Sequence, residues 1–405
     1  MQLSFKRIND IWDNRFKFDQ VMKILFFNYE YPPLGAGAAN ATAYILKEYS
    51  DLEVDLITSS IDDKYHLEKI GENIRIHRLP IGKNESNLHF QSKKDLLVYF
   101  RKAYFFARKL VRLSEKMKKK YDLSHSFFSV PCGFISLLLK WQYDIPYIIS
   151  LRGSDVPGYS DRFTVLYRFI TPIIRLIWKK AAFVVANSQG LKNLALANGT
   201  KKPIEIIYNG IDTDRFRPEY SMRPKGNFII TPGASRITAR KGLKYLVKAI
   251  FKLSSDYPNL ILKIMGEGNE EKNLKNFVKE LQIENRVEFL GRISSEKTTA
   301  FYQEASIFVL PSLNEGMSNA MLEALACGLP ILATDTGGTK ELLKERENGF
   351  VIKMKDSDSI AEKIRLLIDD QDLLMDMGRK SREIAEKMSW KNVARQYIEL
   401  YEKTV

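Results

Sequence analysis

Short apolar runs of strand length alternate with longer helical stretches along this sequence, and the alternation begins twice. The first series starts with KILFFN at Lys23, and the second starts with FIITPG at Phe228. Parallel strands need a crossover connection between them, which is usually a helix packed on the sheet. We therefore predict an α/β fold with two doubly wound parallel-sheet domains, each with its binding site at the carboxyl ends of its strands.

The domain boundaries follow from where each series of strands begins and ends. A polar segment with two prolines and a glycine separates the series and is predicted to be a linker. The tail from Gln371 to Thr404 has apolar residues at helical spacing and is predicted to be helical throughout. The predicted parts are an N-terminal extension (1–21), a first domain (22–217), the linker (218–227), a second domain (228–380) and a C-terminal helix that packs back on the first domain (381–405).

Composition and charge limit the class of protein. The 405 residues are 45% apolar and 28% charged, which is typical of a globular protein. Two cysteines give no disulfide framework, which favours a reducing compartment such as the cytoplasm. No apolar run reaches the roughly 18 residues of a membrane-spanning helix. The net charge of +14 is concentrated between Tyr99 and Val185, where 16 Lys and Arg face 5 Asp and Glu. This basic region predicts an anionic partner.

The basic region has two interpretations. Its two helical stretches, Tyr99–Asp122 and Arg162–Lys180, mix bulky apolar groups with Lys and Arg. Helices of this kind bind anionic lipid surfaces. In the first interpretation, the protein is cytoplasmic and contacts the inner face of the cytoplasmic membrane peripherally. The alternative is that the apolar groups pack on the sheet and the charges form a solvated face.

A stretch in the second domain, Pro311–Leu343, carries the most informative chemistry. After a strand, a loop containing Glu315-Gly316 leads into a short helix from Asn319 to Cys327. The first backbone N–H groups of such a helix lack internal partners and can bind an anion. Glu315 and Glu323 flank this junction, and carboxylates accept hydrogen bonds from the hydroxyl groups of a sugar.

Two basic residues follow the first strand of the second domain. Arg236 and Lys241 lie in the segment SRITARKG, between a strand and the next helix. Arginine binds phosphate with two parallel hydrogen bonds, and lysine acts as a point charge. These residues predict a second anion site, although a solvated loop is the alternative.

Six motifs occur along the sequence: EGMSNAMLE (315–323), SRITARKG (235–242), YNGID (208–212), VVANS (184–188), MGEG (265–268) and GGTKEL (337–342). Together they resemble the motifs of retaining glycosyltransferases of family 4, and the resemblance covers Met22–Val405. It implies the GT-B fold, in which two Rossmann-like domains face a central cleft. It also implies transfer of a hexose from a nucleotide diphosphate sugar to a lipid-linked, polysaccharide or other glycan acceptor, with no metal and no cofactor beyond the sugar nucleotide as co-substrate.

The resemblance implies a role for each matching residue. Arg236 and Lys241 would hold the diphosphate, Glu315 would bind the donor sugar near its anomeric carbon, and Glu323 would bind the ribose. Backbone groups around the helix N-terminus would contact sugar and phosphate, and glycines of the first domain would approach the phosphate from across the cleft. The full set expected to contact the donor is Gly35, Gly37, Arg236, Lys241, Gly266, Gly316, Met317, Ser318, Asn319, Leu322 and Glu323.

One position departs from the family pattern. Arg152, in SLRGSDVPGY, stands where the family often has a histidine near the donor sugar. We include it among the expected catalytic residues, because it can orient a donor hydroxyl or an acceptor phosphate, although it cannot act as a base. The alternative is an ion pair with Asp155 that holds the loop. Asp155 and His125 are predicted on the acceptor side, while a structural role for His125 stays open.

Two other functions remain open from the sequence. A synthase or phosphorylase with the same fold would act on a soluble sugar phosphate. A nucleic-acid-binding protein is suggested by the isoelectric point of about 9.4, but the basic region contains no recognised nucleic-acid-binding module. We therefore expect no nucleic acid among the partners.

Overall fold

The computed structural model describes most of the chain. The described ranges are 21–35, 37–83, 92–159, 164–223, 226, 228–313 and 317–405. The predicted N-terminal extension lies outside them, apart from Val21. No helix within these ranges is long and apolar enough to cross a membrane.

The first sheet has eight strands in the order β3-β4-β2-β1-β5-β6-β7-β8. The pairs β1–β2, β1–β5, β2–β4, β5–β6 and β7–β8 are parallel, whereas β3 is antiparallel to β4 at the edge. The sequence analysis missed β3 because HLEKI is polar and largely exposed, without the apolar run of a buried strand. The strands are β1 (Met22–Phe27), β2 (Leu52–Ser59), β3 (His66–Ile70), β4 (Ile74–Leu79), β5 (Leu123–Phe127), β6 (Tyr147–Leu151), β7 (Phe183–Ala186) and β8 (Ile204–Ile206).

Five α-helices among the described residues accompany the first sheet. The longest begins at a capping box, in which the Ser92 side chain accepts the Asp95 N–H and the Asp95 side chain accepts the Ser92 N–H. This helix buries a stripe of residues four apart, including Tyr99, Ala103 and Ala107. The helices are α1 (Gly37–Lys47), α2 (Lys93–Lys116), α3 (Phe134–Tyr143), α4 (Thr164–Lys180) and α5 (Gln189–Ala197).

The second sheet has seven strands in the order β10-β11-β9-β13-β14-β15, with β12 paired to β11. All neighbouring strands in this sheet are parallel. Strand β10 is not predicted from the sequence, because ASR is short and contains no run of large apolar residues. The strands are β9 (Phe228–Thr231), β10 (Ala234–Arg236), β11 (Leu260–Glu267), β12 (Val287–Phe289), β13 (Ile307–Leu310), β14 (Ile331–Thr334) and β15 (Gly349–Ile352).

Two apolar clusters cover the opposite faces of the second sheet. Ile307 and Val309 of β13 belong to one cluster, and Phe308 and Leu310 belong to the other, as strand alternation requires. Helices α6, α7 and α11 pack in the first cluster, and α8 and α9 pack in the second. The helices are α6 (Leu243–Leu253), α7 (Glu271–Glu280), α8 (Ser295–Glu304), α9 (Asn319–Ala326), α10 (Thr339–Leu342), α11 (Ser357–Asp369), α12 (Gln371–Lys387) and α13 (Trp390–Glu402).

The C-terminal tail is not helical throughout, so that prediction is wrong. Helix α12 ends at Lys387 and α13 begins at Trp390. Between them the Met388 carbonyl accepts the N–H of Ile211 at 2.9 Å. This tertiary hydrogen bond competes with continuation of the helix, and helical periodicity alone carries no sign of it.

The chain divides into two compact units. The first contains Met1–Ser150, Pro172–Phe183 and Leu400–Val405, and the second contains Leu151–Thr171 and Val184–Glu399. In the first unit, the Tyr401 hydroxyl is hydrogen-bonded to the Tyr49 hydroxyl at 2.8 Å.

The segment predicted to be a linker makes contacts within the second unit. The guanidinium of Arg223 donates to the Cys327 and Gly328 carbonyls at 3.1 and 2.9 Å. Residues Tyr220–Met222 form one 3-10 turn. The predicted domain boundaries themselves stay predictions.

Candidate functional site

The predicted site residues of the second sheet lie at the carboxyl ends of its strands. Arg236 ends β10, although its side chain is not among those described. Lys241 follows in a single turn of 3-10 helix and is half-buried. Glu315 and Gly316 lie outside the described residues, so the structure does not locate them.

The loop that carries Lys241 touches the loop that leads to α9. Gly242 has φ +64°, and a Cβ atom there would lie 2.1 Å from the Pro311 carbonyl oxygen. The Leu313 N–H donates to the Arg240 carbonyl at 2.7 Å. Glycine is required at position 242, because any side chain would collide with the neighbouring backbone. This contact brings two motifs distant in sequence side by side.

A third loop, at the end of β11, joins them. A Cβ atom on Gly268 would lie 2.1 Å from the Ile237 carbonyl oxygen, and the Ile237 N–H donates to Glu267 at 2.9 Å. Gly266, predicted to contact the donor, has φ +109° and donates its N–H to Gly291 at 2.7 Å. Three of the six motifs therefore converge at this edge of the sheet.

The N-terminus of α9 is at this edge. The Ser318 hydroxyl caps the helix by accepting the Met321 N–H at 3.3 Å. Asn319 is exposed and Met317 half-buried, so both are accessible, whereas Leu322 is buried in the core. A direct contact between the Leu322 side chain and a ligand is therefore disfavoured; its role in donor binding stays a prediction.

Glu323, in the second turn of α9, is partly buried and interacts with two groups that the sequence analysis did not identify. Burial raises the pKa of this carboxyl to about 7, although a hydrogen bond with the Tyr302 hydroxyl and the charge of Arg215 act in the opposite direction. Tyr302 is fully buried, and Arg215 donates to the Thr299 hydroxyl at 3.3 Å. In the sequence, Arg215 lies three residues after the YNGID motif. This proximity is the one sequence feature that indicates a functional role for Arg215.

Two buried hydroxyl groups near the strand ends are further candidates for ligand contact. Within the described ranges, Ser312 Oγ and Thr336 Oγ1 have no hydrogen-bond partner. Ser312 follows β13 and Thr336 follows β14, on either side of α9 in the sequence. Most buried hydroxyl groups in proteins are paired, so these two favour a polar ligand at this edge.

Asp155 contacts the backbone of Arg152, and the Arg152 guanidinium contacts two other residues of the second unit. Asp155 is buried and accepts the backbone N–H groups of Arg152 and Gly153 at 2.8 and 3.1 Å. The guanidinium of Arg152 donates to Asn209 Oδ1 at 3.0 Å and to the Tyr397 hydroxyl at 3.3 Å. Asp155 therefore shapes the turn, and Arg152 contacts the YNGID motif.

The VVANS and GGTKEL motifs also meet. Glu341 accepts the backbone N–H of Gln189, at the start of α5, at 2.8 Å. Burial raises the pKa of Glu341, and the hydrogen bonds from this helix start oppose the change. Beside this contact, a Cβ atom on Gly190 would lie 3.8 Å from the Gly337 backbone, which is ordinary van der Waals contact.

The remaining predicted residues belong to the first unit. Gly35 has φ +87°, and a Cβ atom there would lie 2.6 Å from Glu30 Oε2; Gly37 begins α1. His125 is fully buried, with its two ring nitrogens 2.8 Å from Ser150 Oγ and 2.7 Å from the Tyr401 hydroxyl. Its contacts are those of a core residue, and an acceptor-side role stays a prediction.

The part of the chain that the structure describes contains no cluster of three or more His, Cys, Asp or Glu side chains that could bind a metal ion. Cys327 is buried in the core, and burial raises the pKa of its thiol to about 12. The predicted independence from metal remains a prediction.

The raised pKa of Glu323 predicts a pH-dependent effect on stability. A Glu in the unfolded chain has a pKa of about 4.3, so the folded chain binds more protons between that value and about 7. Stability therefore falls as the pH rises through this window. Because Gln stays neutral, Glu323→Gln should gain roughly 2–3 kcal/mol relative to the wild type between pH 5 and pH 8.

Urea denaturation at both pH values measures this gain. Glu284→Gln, at an exposed position of the same unit, is the control and should show no such change. Equal free-energy differences for Glu323→Gln at pH 5 and pH 8 would contradict the prediction.

Comparison with known proteins identifies the family. Residues 212–384 match the family described as Glycosyl transferases group 1, and residues 35–215 match Glycosyltransferase Family 4. An uncharacterized glycosyltransferase of Haemophilus influenzae is 37% identical over 306 residues, which are 70% of this chain and 84% of that protein. A D-inositol 3-phosphate glycosyltransferase of Pseudarthrobacter chlorophenolicus is 26% identical over 71% of each chain.

A solved structure supports the fold. HepE of Anabaena, in complex with UDP and glucose, superposes with a TM-score of 0.70 at 21% identity, covering 94% of this chain and 99% of that chain. This likeness and the two parallel α/β sheets confirm the GT-B fold that the sequence predicts. The chain therefore belongs to the group 1 glycosyltransferases and is a glycosyltransferase enzyme.

Proposed function

We propose that this glycosyltransferase moves a hexose from a nucleotide diphosphate sugar to a glycan or lipid-linked acceptor, with retention of configuration and without a metal. The convergence of three loops beside the N-terminus of α9 carries the proposal. Lys241 lies on one of these loops, and α9 supplies both a helix N-terminus and the carboxylate of Glu323. These are the groups that a diphosphate linked to two sugars would need.

The diphosphate is the part of the donor that this edge fits best. The first N–H groups of α9 supply hydrogen bonds and partial positive charge. Lys241 supplies a full positive charge from the loop held against Pro311 and Leu313, and Arg236 would add a second. Two fixed cations would stabilise the negative charge of a leaving diphosphate. In other transferases a metal ion has this role.

Glu323 is proposed to bind the ribose. Its carboxylate can accept two hydroxyl groups, and the Tyr302 hydroxyl fixes its position. Glu315 lies eight residues earlier in the sequence and is proposed to bind the hexose, because the hexose and the ribose lie on opposite sides of a diphosphate. Binding of UDP and glucose by HepE supports a donor of this class.

The reaction breaks the bond between the anomeric carbon and the donor phosphate oxygen. An acceptor hydroxyl forms the new bond on the same face, and its proton passes to the departing phosphate oxygen. Lys241 and Arg236 stabilise the negative charge on that phosphate. Arg152 stays charged at neutral pH and is proposed to orient a donor hydroxyl or an acceptor phosphate; inositol 3-phosphate in the name of one relative supports the second role.

Lys241→Ala tests the donor site. A thermal-shift screen of UDP, GDP, ADP and their glucose and mannose conjugates should find a nucleotide that raises the melting temperature, because it binds the folded state. Loss of a charged hydrogen bond costs about 1.5–3 kcal/mol, so Lys241→Ala should weaken that nucleotide at least tenfold.

Arg240→Ala is the matched control. Arg240 is the neighbouring exposed cation in the same loop, and its loss should change affinity by less than about twofold. The proposal is wrong if no nucleotide stabilises the protein, or if both variants weaken it equally.

Helix α2 supports a membrane-bound acceptor. Leu97, Phe105 and Leu113 are 68, 56 and 50% exposed, and Trp141 of the neighbouring α3 is 56% exposed. Phe105 points away from the buried stripe of α2, so packing on the sheet does not account for it. Exposed cations such as Arg101, Lys102, Lys109 and Arg112 surround these groups. Exposed apolar groups among cations are typical of a surface that binds anionic lipid.

Phe105→Ser tests this surface. The wild type should sediment with phosphatidylglycerol-containing vesicles, and high salt should release it because salt screens the cations. Phe105→Ser should bind severalfold more weakly, and Met375→Ser, an equally exposed apolar position in the second unit, should not. Failure of the wild type to bind would favour a soluble acceptor, such as a sugar phosphate.

A further inference from the structure

A cavity of about 590 Å³ lies in the second unit, between the N-terminal turn of α6 and helix α7. Its volume is within the range of small-molecule sites, about 300–1,000 Å³. The lining includes none of the residues assigned to the donor. Helices α6 and α7 pack on the opposite face of the sheet from α9, so the cavity is separate from the proposed ribose site at Glu323.

The charged groups of the cavity balance one another. Lys244 and Lys355 contribute two positive charges, and Glu270 and Glu280 contribute two negative charges. A phosphate entering the cavity would meet the two carboxylates, and a cation would meet the two ammonium groups. The lining therefore selects for neither kind of ion and favours a neutral ligand.

The other side chains fit a ligand with hydroxyl groups and apolar faces. Asn276 offers an amide donor and acceptor, and Asn273 offers its carbonyl oxygen and a second N–H, because its Nδ2 donates to Glu270 Oε2 at 3.2 Å. Tyr245 and Phe277 are half-buried and present aromatic surface, on which the C–H face of a pyranose ring can pack. We propose that this cavity is an accessory binding site for a neutral carbohydrate, separate from the site of sugar transfer.

The cavity borders the loops of the proposed donor site. Leu313 lines it and donates its N–H to the Arg240 carbonyl, while Thr238 and Gly242 line it from the other loop. A carbohydrate in the cavity would therefore contact both loops at once. This arrangement keeps a bound glycan on the same domain as the proposed donor site.

Saturation-transfer NMR with methyl α-glucoside, methyl α-mannoside, methyl β-galactoside and N-acetylglucosamine tests the proposal. At least one should bind the full chain without any donor present. The double variant Asn273→Ala, Asn276→Ala should weaken it about tenfold. Both residues are exposed, so the fold should tolerate their loss. Phe277→Ala should have a similar effect through the lost ring contact.

Two controls separate this site from others. Phe251→Ala removes an exposed aromatic ring of α6 outside the cavity, and Glu323→Gln alters the proposed donor site; neither should change the signal. The proposal is overturned if none of the four sugars binds, or if the asparagine variant binds as the wild type does. The proposed transferase function is unaffected by either outcome, because the experiment contains no nucleotide.

Discussion

The contact between the Gly242 backbone and the Pro311 carbonyl is the constraint on which the rest of the candidate site depends. It leaves no space for a Cβ atom, and a second such contact joins Gly268 to Ile237. The three loops can lie together only because the chain has no side chain at these points. The parallel strands bring Lys241 and the N-terminus of α9 to one sheet edge, and the glycine contacts hold their loops directly against each other. The glycines thus position the charged groups without touching a ligand themselves.

The candidate site contains buried polar groups that lower the stability of the fold, which is common where function needs such groups. Glu323 is held where burial disfavours its charged form, with Tyr302 and Arg215 compensating in part. Two hydroxyl groups, of Ser312 and Thr336, are buried without a partner in the described part of the chain. A ligand with hydroxyl and phosphate groups would relieve these costs, which is the physical link between the arrangement and the proposed donor.

The sequence predicts the architecture well, because buried parallel strands are apolar runs and their helices are amphipathic. It predicts the family, the GT-B fold and the enzyme class, all of which are confirmed. It missed β3 because an exposed edge strand needs no apolar run, and the break at Met388 because a tertiary hydrogen bond creates it. The interactions of Tyr302 and Arg215 with Glu323 are not predicted for a related reason. Both residues are distant from Glu323 in the sequence and approach it only through tertiary packing, which local sequence patterns do not encode.

A crystal structure with the nucleoside diphosphate that the protein binds tests the central claim most directly. The account predicts ribose hydroxyl groups within hydrogen-bond distance of Glu323, and phosphate oxygens at Lys241 and the first N–H groups of α9. A nucleotide bound elsewhere in the second unit, with Glu323 still paired only to Tyr302 and Arg215, would contradict it.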